Sequence, residues 1–402
     1  MDRFSGAGPW PAAASEAATR TPGSLRGCRR PSACPTSWLK ACAALLLFTL
    51  SGYAASDPDP STAWITGLGG SFQRDKSGQV VEVDLTLTWV HDDDLSKLTA
   101  FPELRKINLS HAKIGDLGLA QLRPLKKVTH LICYYCDYLT DGAIAYIKHW
   151  ENLESLTVRG TEVTGRVFEH LAGMKRLKSL DVGFSRVNDD GFDPLSALES
   201  LEELHIGGNK MSGLALPLLR LLPSLKHLDV NGSQRTDSGR WGLMLTDVNV
   251  DSIAALTQLE TLNMGGSIVS DAGMAALEKM TNLHTLDLSR MEITAKGLAP
   301  LMRLPKLRRL NLAQSARIDD TAAQYFLDMN RLEILDLSQT AVTDAFLDRL
   351  EGMKQLKTLM VDGTKVTPER VERFRKARPD CRIFWSPKYK EVKSEEDVRL
   401  TG

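Results

Sequence analysis

Four residues have types and spacings that could do chemistry. Cys133 and Cys136 are spaced as C-x-x-C, which is found in redox-active and metal-binding pairs. His205 and His227 are a second potential pair of metal ligands. A structural zinc site needs four ligands, and neither a second cysteine pair nor a further histidine completes one in the sequence. We therefore predict no metal site and no cofactor. Both cysteines are expected to be buried thiols, with a disulfide as the alternative.

The sequence also contains no motif of a catalytic site. We find no glycine-rich phosphate loop, no Gly-x-Ser-x-Gly elbow and no His-Glu-x-x-His. Lysines plus arginines number 50, aspartates plus glutamates also number 50, and aromatic residues make up only 6% of the chain. Balanced charge and few aromatic rings argue against nucleic-acid binding. The prediction is a protein that is not an enzyme and has no nucleic-acid partner.

These residues are positioned by an internal repeat, which residues 332–345 show most clearly. Leu335 and Leu337 alternate with polar residues, which predicts a strand with one buried face. Thr343 and Asp344 follow as helix-start residues, and from Leu347 to Leu356 an apolar residue recurs every three positions, which predicts one helix face. Residues equivalent to Leu335 recur at steps of 24 or 25, with one step of 34, at Val83, Ile107, Leu131, Leu156, Leu180, Leu204, Leu228, Leu262, Leu286, Leu310, Leu335, Leu359 and Ile383.

This pattern resembles the leucine-rich repeat, whose signature is Leu-x-x-Leu-x-Leu-x-x-Asn/Cys/Thr-x-Leu. The resemblance covers residues 80–385. It implies an α/β leucine-rich-repeat solenoid, a horseshoe or arc with a parallel sheet on its concave side and short helices on its convex side. A recurring Val/Ile-Thr/Ser-Asp-x-Gly-Leu phrase is similar to the 24-residue bacterial repeats of secreted or envelope proteins. The matching glycines are Gly118, Gly142, Gly191, Gly273 and Gly297.

The repeat region is predicted to lie between segments of different character. Residues 1–37 are basic and expected to be disordered, and residues 38–55 read as the apolar core and cleavage site of a signal peptide. Residues 56–79 form a linker and an N-terminal cap, residues 80–379 the repeats, residues 380–387 a C-terminal cap strand, and residues 388–402 a charged tail. The expected location is secreted, periplasmic or in the cell envelope, with an uncleaved N-terminal membrane anchor or a cytosolic protein as alternatives.

Candidate binding residues lie on the predicted concave face, where a period of two identifies outward-facing side chains. Asp and Asn dominate one column of this face, so we expect it to be acidic and rich in hydrogen-bond acceptors. Aromatic side chains and an arginine lie on consecutive strands, and these residue types are enriched at interface hot spots. The candidate partner-binding residues are Tyr134, Tyr135, Arg159, Asp181, Phe184, His205 and Asp229.

The 34-residue step predicts an insertion of about ten residues at 238–247, with Arg240 and Trp241 as its candidate contact residues. The sequence leaves open whether Thr236-Asp237 or Thr246-Asp247 is the true repeat position. It also leaves open whether the insertion is functional or simply packs onto its coil. The predicted function is a scaffold that binds a protein partner. The alternatives are a structural spacer without a specific ligand and an intracellular adaptor.

Overall fold

The computed structural model describes residues 59–387, except for residues 233, 237, 238 and 244. The predicted signal segment at 38–55, the basic segment before it and the tail at 388–402 lie outside the described residues. Within the described residues, one sheet of 14 strands contains every predicted strand centre. In the same part of the chain, no helix combines the length and the hydrophobicity that a bilayer crossing needs.

The first strand of this sheet is antiparallel to the second, and the following strands are all parallel. In sequence, a separate two-stranded hairpin comes after the eighth strand of the sheet and before the ninth. In chain order, the strands are β1 (Ser71–Arg74), β2 (Val80–Asp84), β3 (Lys106–Asn108), β4 (His130–Ile132), β5 (Ser155–Thr157), β6 (Ser179–Asp181), β7 (Glu203–His205), β8 (His227–Asp229), β9 (Gln234–Thr236), β10 (Gly239–Trp241), β11 (Thr261–Asn263), β12 (Thr285–Asp287), β13 (Arg309–Asn311), β14 (Ile334–Asp336), β15 (Thr358–Met360) and β16 (Arg382–Phe384).

Each parallel strand buries its central residue and leaves its neighbours on the concave face. Leu335 is fully buried, and it pairs with Leu310 on one side and Leu359 on the other. Leu228 pairs directly with Leu262, so the 34-residue step leaves the sheet register unchanged. Because a coil cannot bury its apolar residues alone, its stability depends on its neighbours. The predicted α/β leucine-rich-repeat solenoid is confirmed.

Short helices complete the coils on the convex side, but they are shorter than the apolar spacing predicts. The helix Asp344–Leu350 ends before Met353 and Leu356, which are buried in the turn that follows. The α-helices are Pro60–Gly67, Asp116–Gln121, Asp141–Ile147, Val167–Leu171, Val250–Ala254, Ala323–Phe326, Asp344–Leu350 and Pro368–Ala377. The remaining segments are 3₁₀ helices, as a three-residue period favours: Asp92–Ala100, Asp193–Ala197, Leu216–Leu221, Gly273–Lys279, Ala295–Arg303 and Asp320–Ala322.

A column of small polar residues joins each strand to the convex side. Thr340 donates its hydroxyl to the carbonyl of Leu337 at 2.6 Å, which satisfies a backbone group where the strand ends. Cys136 occupies the same position and donates its thiol to the carbonyl of Leu109 at 3.1 Å. Cys133 and Cys136 are both free and buried. The prediction of core thiols is confirmed, and the disulfide alternative is wrong.

Aspartates link the start of six convex segments to the next coil. Asp344 accepts the backbone N–H of Thr367 at 2.7 Å through Oδ1 and its hydroxyl at 2.8 Å through Oδ2. We call the residues that make this double bond the aspartate ladder. They are Asp116, Asp141, Asp247, Asp271, Asp320 and Asp344. The predicted capping role of the Ser/Thr in this phrase is present too, since Thr343 accepts the N–H of Ala345.

The ladder also explains the glycine of the repeat phrase. A Cβ built on Gly273 would lie 2.1 Å from Oδ1 of Asp247, and one on Gly297 would lie 2.7 Å from Oδ1 of Asp271. Real Cβ atoms do not approach other atoms this closely, so a side chain at either position would displace the carboxylate of the preceding coil. Glycine is needed there for space.

Each coil from that of β2 to that of β15 passes through one left-handed residue shortly after its sheet strand. Glycine adopts this conformation readily, whereas other L-residues lose about 1–2 kcal/mol in it. Five of these positions are glycines, Gly160, Gly208, Gly232, Gly266 and Gly363. The other seven are Leu87, His111, Tyr135, Phe184, Arg290, Gln314 and Gln339.

Candidate functional site

The Asp/Asn column of the concave face is engaged in bonds within the protein. In eight coils the side chain accepts the backbone N–H two residues further on, as in Asp229 with Asn231 at 2.9 Å. Some also bond across coils, since Nδ2 of Asn311 donates to Oδ2 of Asp287 at 2.8 Å. The expectation of an acceptor-rich acidic face therefore needs correction, because many of these acceptors hold the strand ends.

The predicted concave residues of coils 3 to 7 form contacts with one another, and we call them the concave cluster: Tyr134, Tyr135, Arg159, Asp181, Phe184, His205 and Asp229. At its centre, the guanidinium carbon of Arg159 lies 4.3 Å from the ring centre of Phe184, a cation–π contact. Nη1 of Arg159 lies 3.5 Å from Oδ1 of Asp181. Burial disfavours the charge of Arg159, but the carboxylates of Asp181 and Asp229 outweigh it, so the pKa of Arg159 is raised.

Three aromatic rings, those of His111, Tyr134 and Tyr135, contact one another in the two coils that precede Arg159. The rings of Tyr134 and Tyr135 meet edge to face with centres 4.6 Å apart. The His111 ring stacks on Tyr135, with centres 5.7 Å apart and planes 12° from parallel. Burial raises the pKa of the Tyr135 hydroxyl. His111 was not among the predicted residues, although it occupies the same repeat position as Tyr135 and Phe184, which were.

His205 is a fixed positive charge at the other side of the cluster. Its Nε2 lies 3.0 Å from Oε1 of Glu203, and its Nδ1 lies 3.5 Å from Oδ2 of Asp229. Burial alone would favour the neutral ring, but the hydrogen bonds to Asp229 and Glu203 raise the pKa of His205 to about 10. In turn, the hydrogen bond from His205 lowers the pKa of Glu203 to about 2. The ring is therefore protonated at neutral pH and donates from both nitrogens.

Glycines allow these side chains to lie directly on the backbone of the next coil. A Cβ on Gly183 would lie 2.6 Å from Nη1 of Arg159, and one on Gly208 would lie 2.6 Å from Cγ of Phe184. Cζ of the same phenylalanine lies 3.3 Å from the position of a Cβ on Gly232. Side chains at these glycines would displace the guanidinium and the phenyl ring from their present positions.

The insertion begins next to this contact. Strands β9 and β10 form an antiparallel hairpin, the insertion hairpin, whose first residue follows Gly232 by two positions. The backbone of Arg240 pairs with Arg235, and that of Trp241 pairs with Gln234. The two features that the sequence predicted separately, the concave cluster and the insertion, therefore adjoin through Gly232.

The structure also fixes where the extra residues lie. Leu245 is fully buried and its carbonyl accepts the N–H of Ile268 at 2.9 Å, the bond that Leu139, Val163 and Val342 make in regular coils. Asp247 belongs to the aspartate ladder. Thr246-Asp247 is thus the true repeat position, and the additional residues lie between Gly232 and Leu243. The predicted limits of 238–247 were set too late in the chain.

Sequence reasoning missed Glu203 because it considered only two of the concave columns. Glu203 is the first residue of β7, and in a three-residue strand the first and third side chains share a face. Extending the same period back by two residues would have found it. Among the described residues, no group of three or more His, Cys, Asp or Glu side chains is arranged to hold a metal ion.

One family model matches parts of this chain, and several solved structures are similar to it. The family model described as Leucine Rich repeat matches residues 103–122 and 279–302. No curated protein matches the chain in sequence. Among solved structures, an internalin from Listeria monocytogenes is similar with a TM-score of 0.54 and 18% identity, over 83% of this chain and 97% of that one. A leucine-rich-repeat protein of Leptospira interrogans is similar with a TM-score of 0.45 and 16% identity, over 72% and 86% of the two chains.

Proposed function

We propose that this chain, a leucine-rich-repeat protein, is a non-enzymatic scaffold that binds a protein partner on its concave face. The observation that carries the proposal is the concave cluster. It gathers two tyrosines, a phenylalanine and an arginine on one face, and Tyr, Trp and Arg are the residue types most enriched at binding hot spots. Arg159 and Phe184 hold each other in place at 4.3 Å, so less side-chain entropy is lost on binding.

The arrangement of charges supports a polar partner surface rather than a purely apolar one. Arg159 and His205 are cationic, and Asp181, Asp229 and Glu203 are anionic. Both signs lie within one group of contacts, so the cluster selects a partner by the pattern of its charges more than by its net charge.

The insertion hairpin is proposed as a second part of the same site. It leaves the array at the coil of β8, beside Phe184, and Arg240 and Trp241 lie on its second strand. A partner seated on the concave cluster would meet the hairpin at the border of the cluster. We further propose export of the chain, on the strength of the signal-peptide pattern at 38–55.

The test is recovery of the natural partner by proximity labelling and co-purification from the source cells, with the full chain as bait. The variants are Phe184→Ala, Tyr134→Ala and Arg159→Lys, and the control is Phe384→Ala, which removes a half-exposed ring from the last strand. We expect the cluster variants to weaken recovery by about tenfold or more with unchanged melting temperature. Recovery that is equal in all four variants would reject the concave cluster as the binding site. N-terminal sequencing of the protein from culture fractions tests export, and an intact N-terminus in the cytosol would contradict it.

A further inference from the structure

The large sheet has an open edge at its C-terminal end. Strand β16 pairs with β15 on one side, and within the described residues no strand pairs with it on the other side. We call this outer side of β16 the open edge. An edge of this kind presents N–H and C=O groups to which an extended segment can add as a further strand.

The backbone bonds of β16 show which of its groups face outward. Arg382 donates its N–H to the carbonyl of Lys357 at 2.8 Å, and the carbonyl of Phe384 accepts the N–H of Val361 at 2.9 Å. Successive residues of a strand direct their N–H and C=O groups to alternate sides. The N–H and C=O of Ile383 therefore point away from β15, although the side chain of Ile383 is buried in the last coil.

A cleft accompanies the open edge. It has a volume of about 320 Å³, and its wall includes the whole of β16 and the preceding Cys381. Arg375, Arg378 and Pro379 line it as well. The ring of Phe384 beside it is half exposed. The open edge is thus bordered by a depression in which an extended segment can lie.

The charges around the cleft favour an acidic segment. Arg375 forms an ion pair with Glu372, and Arg378 forms one with Asp380 at 2.9 Å. Arg382 forms no ion pair with a carboxylate of residues 59–387. Three arginines against two carboxylates leave an excess of one positive charge, and the guanidinium that lacks a carboxylate is on β16 itself.

The chain carries an acidic segment within reach of this edge. Three consecutive carboxylates, which we call the acidic block, occupy Glu395–Asp397 in the segment that follows the described residues. The eight-residue step from Pro387 to Glu395 spans at most about 26–29 Å, and Pro387 follows Phe384 by only three residues. A segment tethered by a short linker has an effective concentration on the order of millimolar, which favours it over a free competitor.

We propose that the acidic block adds to the open edge of β16 and closes the C-terminal end of the array. The chain must reverse its direction after Pro387 to reach this edge, so the added strand is antiparallel to β16. Its side chains alternate between two faces, which brings carboxylates to Arg382 on the concave side and to Arg375 at the cleft. This inference goes beyond the proposed function because it concerns the end of the array and not the partner.

Hydrogen exchange of the Ile383 amide in the full chain is the test, since this N–H gains an acceptor when a strand is added. We expect exchange to be about tenfold slower or more in the wild type than in Glu395→Lys/Glu396→Lys/Asp397→Lys. Sodium chloride at about 1 M should also accelerate it in the wild type, because the Debye length then falls to about 3 Å. Arg382→Glu alone should accelerate exchange, and Arg382→Glu combined with the triple Lys variant should restore part of the protection.

Arg309→Glu is the matched control. Arg309 is the exposed first residue of β13, a strand with neighbours on both sides, so its reversal should leave exchange at Ile383 unchanged. Equal exchange in the wild type and the triple Lys variant would overturn the proposal. Failure of the combined variant to regain any protection would reject the contact between the acidic block and Arg382. Slow exchange that appears only at high protein concentration would assign the open edge to a second copy of the chain and overturn the proposal as well.

Discussion

The carboxylate of Asp247 accepts the backbone N–H of Ser270 at 2.7 Å and its hydroxyl at 2.5 Å. This is the bond pattern that Asp116 makes with Thr140 and Asp344 makes with Thr367 in regular coils. The array therefore resumes its repeat at Thr246-Asp247 after the insertion hairpin. Because the register is restored there, the extra residues can be defined as 233–242.

Deleting residues 233–242 should leave a folded array. The step from Leu228 to Leu262 then becomes 24 residues, and Leu243 and Leu245 keep their core positions. Deleting 238–247 instead also gives a 24-residue step, but it places Arg235 at the core position of Leu245. An unpaired charge there should cost several kcal/mol, about 3–5, or prevent folding. Urea unfolding of the two deletions measures the difference, and equal stability would contradict the assigned register.

Replacing Gly273 with Ala should destabilise the array by about 1–3 kcal/mol, because the new methyl group would overlap the Asp247 carboxylate. Asp247→Ala alone should cost about 1–2 kcal/mol through its lost hydrogen bonds. In the double variant the closest conflict is removed and only Cγ1 of Val269, at 2.8 Å, still crowds the new methyl group, so the two costs should add only in part. Gly352→Ala is the matched control, since nothing lies within 4 Å of its Cβ position. Additive effects in denaturant titrations would reject the spatial explanation for glycine.

Removing the charge of His205 should make the free energy of unfolding depend less on pH between 6.5 and about 10. The folded-state pKa of about 10 lies above the ordinary 6.5, so the ion pairs stabilise the protein fully below pH 6.5 and are lost as pH rises toward 10. His205→Gln should therefore lower the free energy of unfolding at pH 6 by about 1–3 kcal/mol, and by much less at pH 10. His149→Gln, at an exposed position, is the control. A wild-type to His205→Gln difference that is constant with pH would show that the histidine is not held in its charged form.

Glycine at a left-handed position should stabilise the protein. Gln339 has φ of 59° and is exposed, so Gln339→Gly relieves the backbone without removing core contacts. The expected gain is about 0.5–1 kcal/mol after allowing for the entropy of glycine in the unfolded chain. Gln121→Gly is made at the end of the helix Asp116–Gln121 and should instead lose about 0.5–1 kcal/mol. Thermal melts of both variants provide the measurement, and a loss in both would contradict the assigned strain.

The strands could be predicted because their centres are specified by apolar residues at a fixed spacing. Leu228 and Leu262 were identified as equivalent despite ten extra residues between them, and they pair directly. The helix lengths could not be predicted from the apolar spacing. Met353 is apolar because it packs in the core, although it lies outside the helix. The bonds of the Asp column were also hidden, because an aspartate that caps its own strand and one that faces solvent look the same in sequence.

The candidate site was predictable only in its residue types. Arg159 and Phe184 were both identified, but that they touch depends on Gly208 and Gly183, whose missing side chains make room for them. The role of Glu203 depends on a histidine two residues away on the same face. Contacts that require a further residue in this way form only in the folded array, and no pattern in the repeat sequence indicates them.

The closure of the repeat immediately after the insertion hairpin has a consequence for how this protein can change. Gly232 and Leu243 occupy positions that are consecutive residues in a regular coil, so the ends of the inserted segment lie close together, at about the spacing of neighbouring residues. Any segment whose ends meet at that spacing can occupy this point without altering a single coil. The solenoid thus offers a point beside its concave cluster at which the hairpin can be replaced while the array is kept.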